Sequence, residues 1–342
     1  MPTDLFLAAS GWPPSALADV VPPSCRRDVQ AAPAPQREGD DAVVELPEWR
    51  PRSAARHLVP AFNALHPTPV SFRFEVAVQR GDGWSAWVAG ATIGEARFTP
   101  LDARADGLAV EIDEFVADAP APVVRVRLRV RADDRRALFA APWLVSLSAW
   151  DGRLPAPPRA RSDGGARLAV PALSQMDADE AIRMRICSPA SVAMVLGYWG
   201  ERVELASLAR EIFHPALDRY GVWPAAIRAA GRYGVAGYLL RFPDWASAAW
   251  CLERGLPVIA SVRYGAGELD GAAIPETSGH LLVLTGYAGD EVLVNDPAAT
   301  TSAGVARRYR RDQLCRVWLE RAGVGYVLVR PSTSPSGRSP RP

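Results

Sequence analysis

The sequence contains no lysine, so all 39 strongly basic side chains are arginine, beside four histidines. We attribute this bias to genome composition rather than to a function. Acidic side chains number 38, which leaves a formal net charge of +1. A chain so close to neutrality gives no sign of a nucleic-acid or anionic-membrane partner. Its 342 residues are enough for two domains.

Cysteine is also scarce. Four scattered cysteines without a CxxC pair are too few for a disulfide framework, and they argue against a structural zinc site. Free thiols are therefore expected. Cys251 and Cys315 fall on predicted helices beside apolar residues, where a thiol packed in the core is expected. Cys25 falls in a stretch predicted to be flexible.

Long apolar runs are missing, and none approaches the length that crosses a bilayer. The opening MPTDLFLAASGWPPSALADVV makes a poor export signal, because no basic region leads it and Gly11 and two prolines interrupt it. The chain as given is therefore expected to be cytoplasmic, and secreted if the true start lies upstream. No cofactor is indicated, and the sequence leaves the oligomeric state open.

Composition divides the chain into five stretches. Residues 1–40, rich in Ala, Pro and polar side chains, predict a flexible leader. Residues 41–153 alternate apolar and polar side chains between turn signals, which predicts an antiparallel β-sandwich-like domain. Residues 154–167 predict a Pro- and Gly-containing linker before the second domain at 168–332, and 333–342 predict a disordered tail.

One predicted strand of the sandwich, PVVRVRLRV, carries three arginines on one face: Arg125, Arg127 and Arg129. These side chains could bind an anionic polymer, but a solvated face of the sheet is the favoured interpretation. Trp84 and Trp87 could form a platform for a sugar, but burial between the sheets is favoured for both.

After residue 168 the apolar spacing becomes helical and then returns to strands. Val192, Val195, Leu196 and Trp199 follow the helical rule, whereas HLLVLTGY and EVLVNDP read as strands. Helices followed by strands predict segregated layers, and the second domain is therefore expected to be α+β.

Cys187 stands just before the first of these helices. Pro189 suits the first helical turn, so Cys187 is expected at or next to the helix N-terminus. Unpaired N–H groups and the helix dipole stabilise an anion there, and the thiolate is the nucleophilic form of cysteine. A cysteine in this position is more often structural than catalytic, so its neighbours decide between the two interpretations.

His280 and Asp296 supply those neighbours. His280 begins an apolar strand beside Gly279, and Asp296 ends the next strand. A short AGDE turn joins the two strands as a hairpin, which brings the two side chains together. The carboxylate can then hold one ring nitrogen while the other faces the thiol, giving a nucleophile, a base and an orienting group. Gln175 and the Cys187 N–H could stabilise an oxyanion.

Four ordered motifs resemble a known family: VPALSQ, CSPASVAMVLGYWG, GHLLVLTGY and VLVNDPA. They are similar to papain-clan cysteine peptidases of the bacteriocin-processing, double-glycine-leader type, in the stand-alone bacterial branch. The resemblance covers 168–332. It implies a papain-like domain behind the sandwich-like one, a peptide or protein substrate, and four catalytic roles: Cys187 as nucleophile, His280 as base, Asp296 as orienting group and Gln175 as oxyanion donor.

The substrate cleft is expected beside the loop 265–279, which is long, contains glycine and directly precedes His280. Trp223 and Tyr220 are expected on the facing side. The substrate-binding residues are thus predicted to be Trp223, Tyr220, Ser188 and Gly279.

Two other classes of function remain open at this point. In the first, the sandwich-like domain recognises a polysaccharide or peptide, and the second domain is a scaffold without catalytic activity. In the second, Cys187, His280 and Asp296 bind zinc, although three ligands without a second cysteine make a poor structural site.

Overall fold

A computed structural model describes residues 3–154 and 164–331. The chain is mixed α and β with extensive sheet, and it divides into two compact units. The N-terminal unit contains residues 3–153 and 231–239, and the C-terminal unit contains 164–230 and 240–329. Within the described residues, no helix has the length and apolar character needed to cross a membrane.

The first 153 residues form thirteen strands and two short helices in the described part. In chain order they are β1 (Asp4–Ser10), α1 (Pro14–Ala18), β2 (Arg26–Ala31), β3 (Gln36–Glu38), β4 (Asp41–Glu45), β5 (Ala55–Ala64), β6 (Ser71–Arg80), β7 (Gly83–Trp84), β8 (Val88–Ala89), β9 (Arg104–Ala105), β10 (Leu108–Glu111), β11 (Glu114–Ala121), β12 (Val124–Arg131), α2 (Arg135–Ala140) and β13 (Trp143–Trp150). One sheet has the order β2-β1-β13-β5-β11-β10-β9, and another has the order β3-β4-β12-β6-β7, with β8 on β6.

Alternating side chains build these sheets as the sequence predicts. In β12, each valine or leucine is buried while the intervening arginines are half-exposed. Buried aromatic rings join the two sheets: Phe62 of β5 meets Phe72 of β6 edge to face, with ring centroids 5.2 Å apart. The strands β1 and β2 pair in parallel, so the first sheet is not purely antiparallel.

The predicted flexible leader at 1–40 is wrong. Strand β1 is paired on both sides, antiparallel to β13 and parallel to β2, and its Leu5 and Leu7 side chains are buried. Cys25 is buried as well. The polar and Pro-rich average of the stretch hides the short apolar run DLFLAAS, which finds its partner strand far along the chain.

The arginine face of β12 is held by ion pairs. Glu75, fully buried on β6, accepts hydrogen bonds from Arg73 at 2.7 Å and from Arg129 at 2.9 Å. Further acidic partners are Glu48 for Arg125 and Glu45 for Arg127. The face therefore carries acidic partners for its arginines and is not a bare cationic surface.

The two tryptophans next to this face are half-buried and lie under arginines. The Arg125 guanidinium stands 3.8 Å from the Trp84 ring centroid, and Arg127 stands 4.3 Å from that of Trp87. Their expected burial between the sheets is wrong, because each ring is only half-buried and packs against a cation on the sheet surface.

The rest of the described chain contains five α-helices, three short 3₁₀ helices and seven strands. They are β14 (Gly165–Arg167), η1 (Gln175–Asp177), α3 (Cys187–Tyr198), α4 (Leu205–Ile212), η2 (Pro215–Leu217), α5 (Trp223–Arg232), β15 (Ala236–Arg241), α6 (Trp245–Glu253), β16 (Val258–Tyr264), β17 (Thr277–Ala288), β18 (Glu291–Asn295), η3 (Ser302–Gly304), β19 (Ala306–Arg310), α7 (Arg311–Trp318) and β20 (Val324–Val329). In the C-terminal unit a sheet runs in the order β20-β16-β17-β18-β19.

The predicted linker at 154–167 ends too late in the sequence. Residues 155–163 lie outside the described residues, but Gly165–Arg167 already forms strand β14 on β17. A Cβ atom at Gly286 would stand 2.1 Å from the Ala166 carbonyl oxygen, so this close approach requires glycine. The predicted tail at 333–342 lies outside the described residues, and the remaining domain boundaries stay predictions.

Candidate active site

Cys187 is the first residue of α3, where the argument from Pro189 places it. The preceding residue, Ile186, makes no side-chain cap, so no side-chain oxygen covers the first N–H groups of the helix. Buried side chains on α3 fix the helix against β17, and the Ser191 hydroxyl donates to the Leu281 carbonyl at 3.2 Å. The half-buried thiol is thus presented from a rigid element.

His280 and Asp296 come together through the pairing of β17 with β18. Val283 lies opposite Asn295, so Asp296 continues β18 toward the His280 end of β17. The His280 Nε2 atom lies 2.8 Å from Asp296 Oδ1, and both side chains are almost completely buried. With Nε2 engaged, Nδ1 is the ring nitrogen that remains for another partner.

The thiol of Cys187 is the group that this imidazole acts on. The charge of His280 and the backbone N–H groups of Leu281 and Ser188 stabilise the negative charge of the thiolate. Burial by itself raises the pKa of the Cys187 thiol. The interaction with His280 and the two N–H groups together outweigh burial and hold this pKa below its usual range.

The pKa of the His280 imidazole is shifted upward, in the opposite direction to that of the Cys187 thiol. Burial lowers the pKa of His280, but the charge and hydrogen bond of Asp296, together with Cys187, raise it to about 10. Burial raises the pKa of Asp296, and the His280 charge overrides it, so the carboxyl pKa lies below its usual range. These shifts favour a thiolate beside an imidazolium, the reactive form of a cysteine–histidine pair.

Asp296 is held by more than the imidazole. The backbone N–H of Ala298 donates to Oδ1 at 3.0 Å, and the Tyr309 hydroxyl donates to Oδ2 at 2.7 Å. Sequence reasoning missed Tyr309. The alternation in ARRYR places it on the buried face of a strand, but the sequence does not reveal that this strand lies beside β18.

Gln175 lies in the short helix η1 and is buried. Its backbone N–H donates to the Pro297 carbonyl at 2.8 Å, which fixes it next to the residue after Asp296. Its side-chain Nε2 donates to the Arg183 carbonyl at 2.7 Å. An amide nitrogen has two hydrogens, so one N–H remains for another acceptor.

The four predicted substrate-binding residues have different positions. The Ser188 side chain is fully buried and lies 3.3 Å from the Tyr326 hydroxyl, so its expected contact with substrate is wrong. It lies on the inner face of α3, one residue past the thiol. Gly279, in contrast, is exposed with open space around it, directly before His280.

Tyr220 and Trp223 are both half-buried. Tyr220 packs against Phe213, with ring centroids 4.6 Å apart, and the Arg185 guanidinium lies 5.5 Å from its ring. Because Arg185 is only two residues from Cys187, this contact brings Tyr220 toward the nucleophile. Trp223 begins α5, and its place in a cleft stays a prediction.

The loop before His280 is attached to neighbouring elements. Glu268 pairs with Arg321 at 3.0 Å, and the Gly271 carbonyl accepts from Arg307 of β19 at 2.8 Å. Its last three residues already belong to β17. Cys251 and Cys315 are core thiols, as predicted, and burial raises the pKa of Cys315 to about 12. In the described part of the chain, no group of three or more potential ligands has the arrangement of a metal site.

Comparison with known proteins gives one family match. Residues 167–326 match the family model described as "Peptidase_C39 like family", so this part of the chain is similar to C39-like peptidases. None of the curated proteins matches the chain. The crystal structure of a candidate C39-like peptidase from Bacillus anthracis shares 19% identity, covers 50% of this chain and 100% of its own, and gives a TM-score of 0.39. At that score the structural likeness carries no argument.

Proposed function

We propose that this protein is a cysteine peptidase that cleaves an amide bond through an acyl-enzyme on Cys187. The observation that carries the proposal is the His280–Asp296 pair, hydrogen-bonded at 2.8 Å, whose imidazole lowers the pKa of the Cys187 thiol at the start of α3. The family match over 167–326 includes all three residues and supports a papain-like domain with a peptide substrate.

The reaction follows from the charges in the site. The Cys187 thiolate attacks the carbonyl carbon of the scissile amide, and a C–S bond forms. As the C–N bond breaks, the His280 imidazolium gives its proton to the departing amine. Water then attacks the thioester, His280 takes a proton from it, and the acid product leaves while the thiolate is restored.

Two donors are available for the oxyanion of the tetrahedral intermediate. The first is the backbone N–H of Cys187 at the start of α3, where the helix dipole favours negative charge. The second is the remaining N–H of the Gln175 amide, whose other N–H is fixed on Arg183. Anchoring on Arg183 would pre-organise the Gln175 amide before substrate arrives.

The motif resemblance extends the proposal to the stand-alone branch of the bacteriocin-processing type, with the exposed Gly279 and the aromatic Tyr220 bordering the cleft. The all-β sandwich-like domain, the cytoplasmic location and the absence of a cofactor are part of the same proposal. The alternative of a catalytically inactive protein that binds a polysaccharide is less well supported. Arginines cover one face of both Trp84 and Trp87, so that face is not free to stack on a sugar.

Alkylation of the purified protein by iodoacetamide across pH, read by peptide mass spectrometry, tests the proposal. Cys187 is expected to react at a pH well below that of an ordinary thiol, and Cys315 serves as an unreactive internal reference. A peptide library then tests for cleavage that Cys187→Ala abolishes. A Cys187 that reacts no faster than an ordinary thiol, with no cleavage of any peptide, would rule the peptidase out.

A further inference from the structure

The carboxylate of Asp296 is fixed at both oxygens. Oδ1 accepts from His280 Nε2 and from the Ala298 N–H, at 2.8 and 3.0 Å. Oδ2 accepts from the Tyr309 hydroxyl of β19 at 2.7 Å. A carboxylate held at one oxygen can still rotate, whereas one held at both keeps a single orientation.

Strand pairing determines where the Tyr309 hydroxyl lies. In the register of β18 with β19, Tyr309 faces Val292 and Arg307 faces Val294. These β19 side chains share the face of the sheet that carries Asp296, because side chains alternate along a strand. Tyr309 is 1% exposed, so its hydroxyl has no access to bulk water and is directed at the carboxylate.

The phenol keeps its proton throughout the working range. Burial, followed by the negative charge of Asp296, raises the pKa of Tyr309 far above its usual value. Tyr309 therefore remains a neutral hydrogen-bond donor to Asp296 and adds no second negative charge beside the carboxylate. Tyr264 of β16 and Arg307 of β19 also face this cluster, and Arg307 opposes the rise in the Tyr309 pKa.

We propose that Tyr309 is a positioning residue of the site, acting through Asp296 and His280 on the Cys187 thiolate. Its hydroxyl holds Oδ2, so that Oδ1 stays directed at His280 Nε2 and the ring keeps Nδ1 toward the sulfur. The inference rests on the proposed function. Tyr309 does not touch the substrate, and its effect is on the geometry of the groups that do.

A hydrogen bond weakens steeply when its angle is lost, so a ring that rotates with its carboxylate stabilises the thiolate less well. Removing the hydroxyl therefore affects the chemical step and the thiolate more than substrate binding. Loss of the outer hydrogen bond that orients a metal-ligating histidine or carboxylate commonly lowers activity by about 10–100-fold, and we expect the same range for a carboxylate that orients a catalytic histidine.

The test compares Tyr309→Phe with Tyr287→Phe in the full chain. Tyr287 is equally buried and also donates to a carboxylate, that of Glu253, but away from the active site. Tyr309→Phe should lower kcat by about 10–100-fold with KM changed less than twofold. It should also move the acid midpoint of Cys187 alkylation to higher pH, whereas Tyr287→Phe should change neither quantity.

Two further arms make the test specific. Adding Tyr309→Phe to Asp296→Asn should cost little more than Asp296→Asn alone, because both changes act through the same carboxylate. Incorporation of 3-fluorotyrosine keeps the ring shape and alters the donor, so at position 309 it should move the alkylation midpoint, and at 287 it should not. This second arm decides the question if Tyr309→Phe does not fold.

Alkylation needs no substrate, which separates the two proposals. An unreactive Cys187 in the unaltered protein overturns the proposed function. A reactive Cys187 whose midpoint and kcat are unchanged in folded Tyr309→Phe, or additive losses with Asp296→Asn, overturn the role of Tyr309 and leave the peptidase standing.

Discussion

At the scale of single residues, the site depends on which partner faces each nitrogen of His280. Nε2 is committed to Asp296 at 2.8 Å, so the sulfur of Cys187 can interact only with Nδ1. This orientation of the ring leaves the Nδ1–H group on the side of the sulfur, where it can stabilise the thiolate and later give its proton to the leaving amine.

Replacing Asp296 with asparagine tests this arrangement. The Asp296 charge is the largest contribution that raises the His280 pKa, so in Asp296→Asn this pKa should fall from about 10 toward its ordinary value. We expect kcat/KM to fall by about 10²–10⁴-fold and the alkaline limb of its pH profile to move to lower pH. Asp290→Asn, which loses only a pairing with Arg311 near the surface, is the control and should leave both unchanged.

The pH dependence of the unaltered protein follows from the same two shifts. Activity needs an ionised Cys187 and a protonated His280. Since the Cys187 pKa is lowered and that of His280 is raised to about 10, kcat/KM should rise at a pH below that of an ordinary thiol and decline near pH 10. The limbs describe the coupled pair rather than single residues. An acid limb at the usual thiol pKa, measured with any cleaved peptide, would contradict the assignment.

At the scale of secondary structure, helix α3 and the hairpin β17–β18 could be predicted, because their signals are local. Pro189 marks the helix start, and the short turn before β18 brings His280 to Asp296. Local patterns could not show that Ser188 faces inward, since the direction of a side chain on a buried helix depends on its neighbours. They could not place Tyr309 either, because its contact requires the order of strands in the sheet.

The attachment of β14 to β17 provides a test at this scale. Gly286→Ala would place a methyl group against the Ala166 carbonyl, so β14 must shift or detach. We expect the free energy of unfolding of the C-terminal unit to fall by about 1–3 kcal/mol, measured by denaturant titration. Gly221→Ala, where a Cβ meets open space, is the matched control. Equal losses in both variants would mean that the close approach is not maintained.

At the scale of the whole molecule, the described active-site residues all belong to the C-terminal unit, whereas the Glu75 network belongs to the N-terminal unit. Glu75→Gln removes a buried charge that faces Arg73 and Arg129. The stability of the N-terminal unit should fall by about 3 kcal/mol, because the guanidinium groups lose their buried counter-charge. In calorimetry, the unfolding transition of the N-terminal unit should move to a lower temperature. Below that temperature, the pH profile of Cys187 alkylation should be unchanged. A shifted profile would show that the two units are energetically coupled.

The pairing of β1 with β13 also sets the order in which the chain can complete its first sheet. Asp4 lies opposite Ala149, so β1 leaves the ribosome long before its central neighbour exists. Until Trp143–Trp150 is synthesised, β1 and β5 each present an open edge toward the missing strand, and open edges recruit other chains. Strand β1 is therefore enclosed on both sides only when the last strand of its sheet has been synthesised.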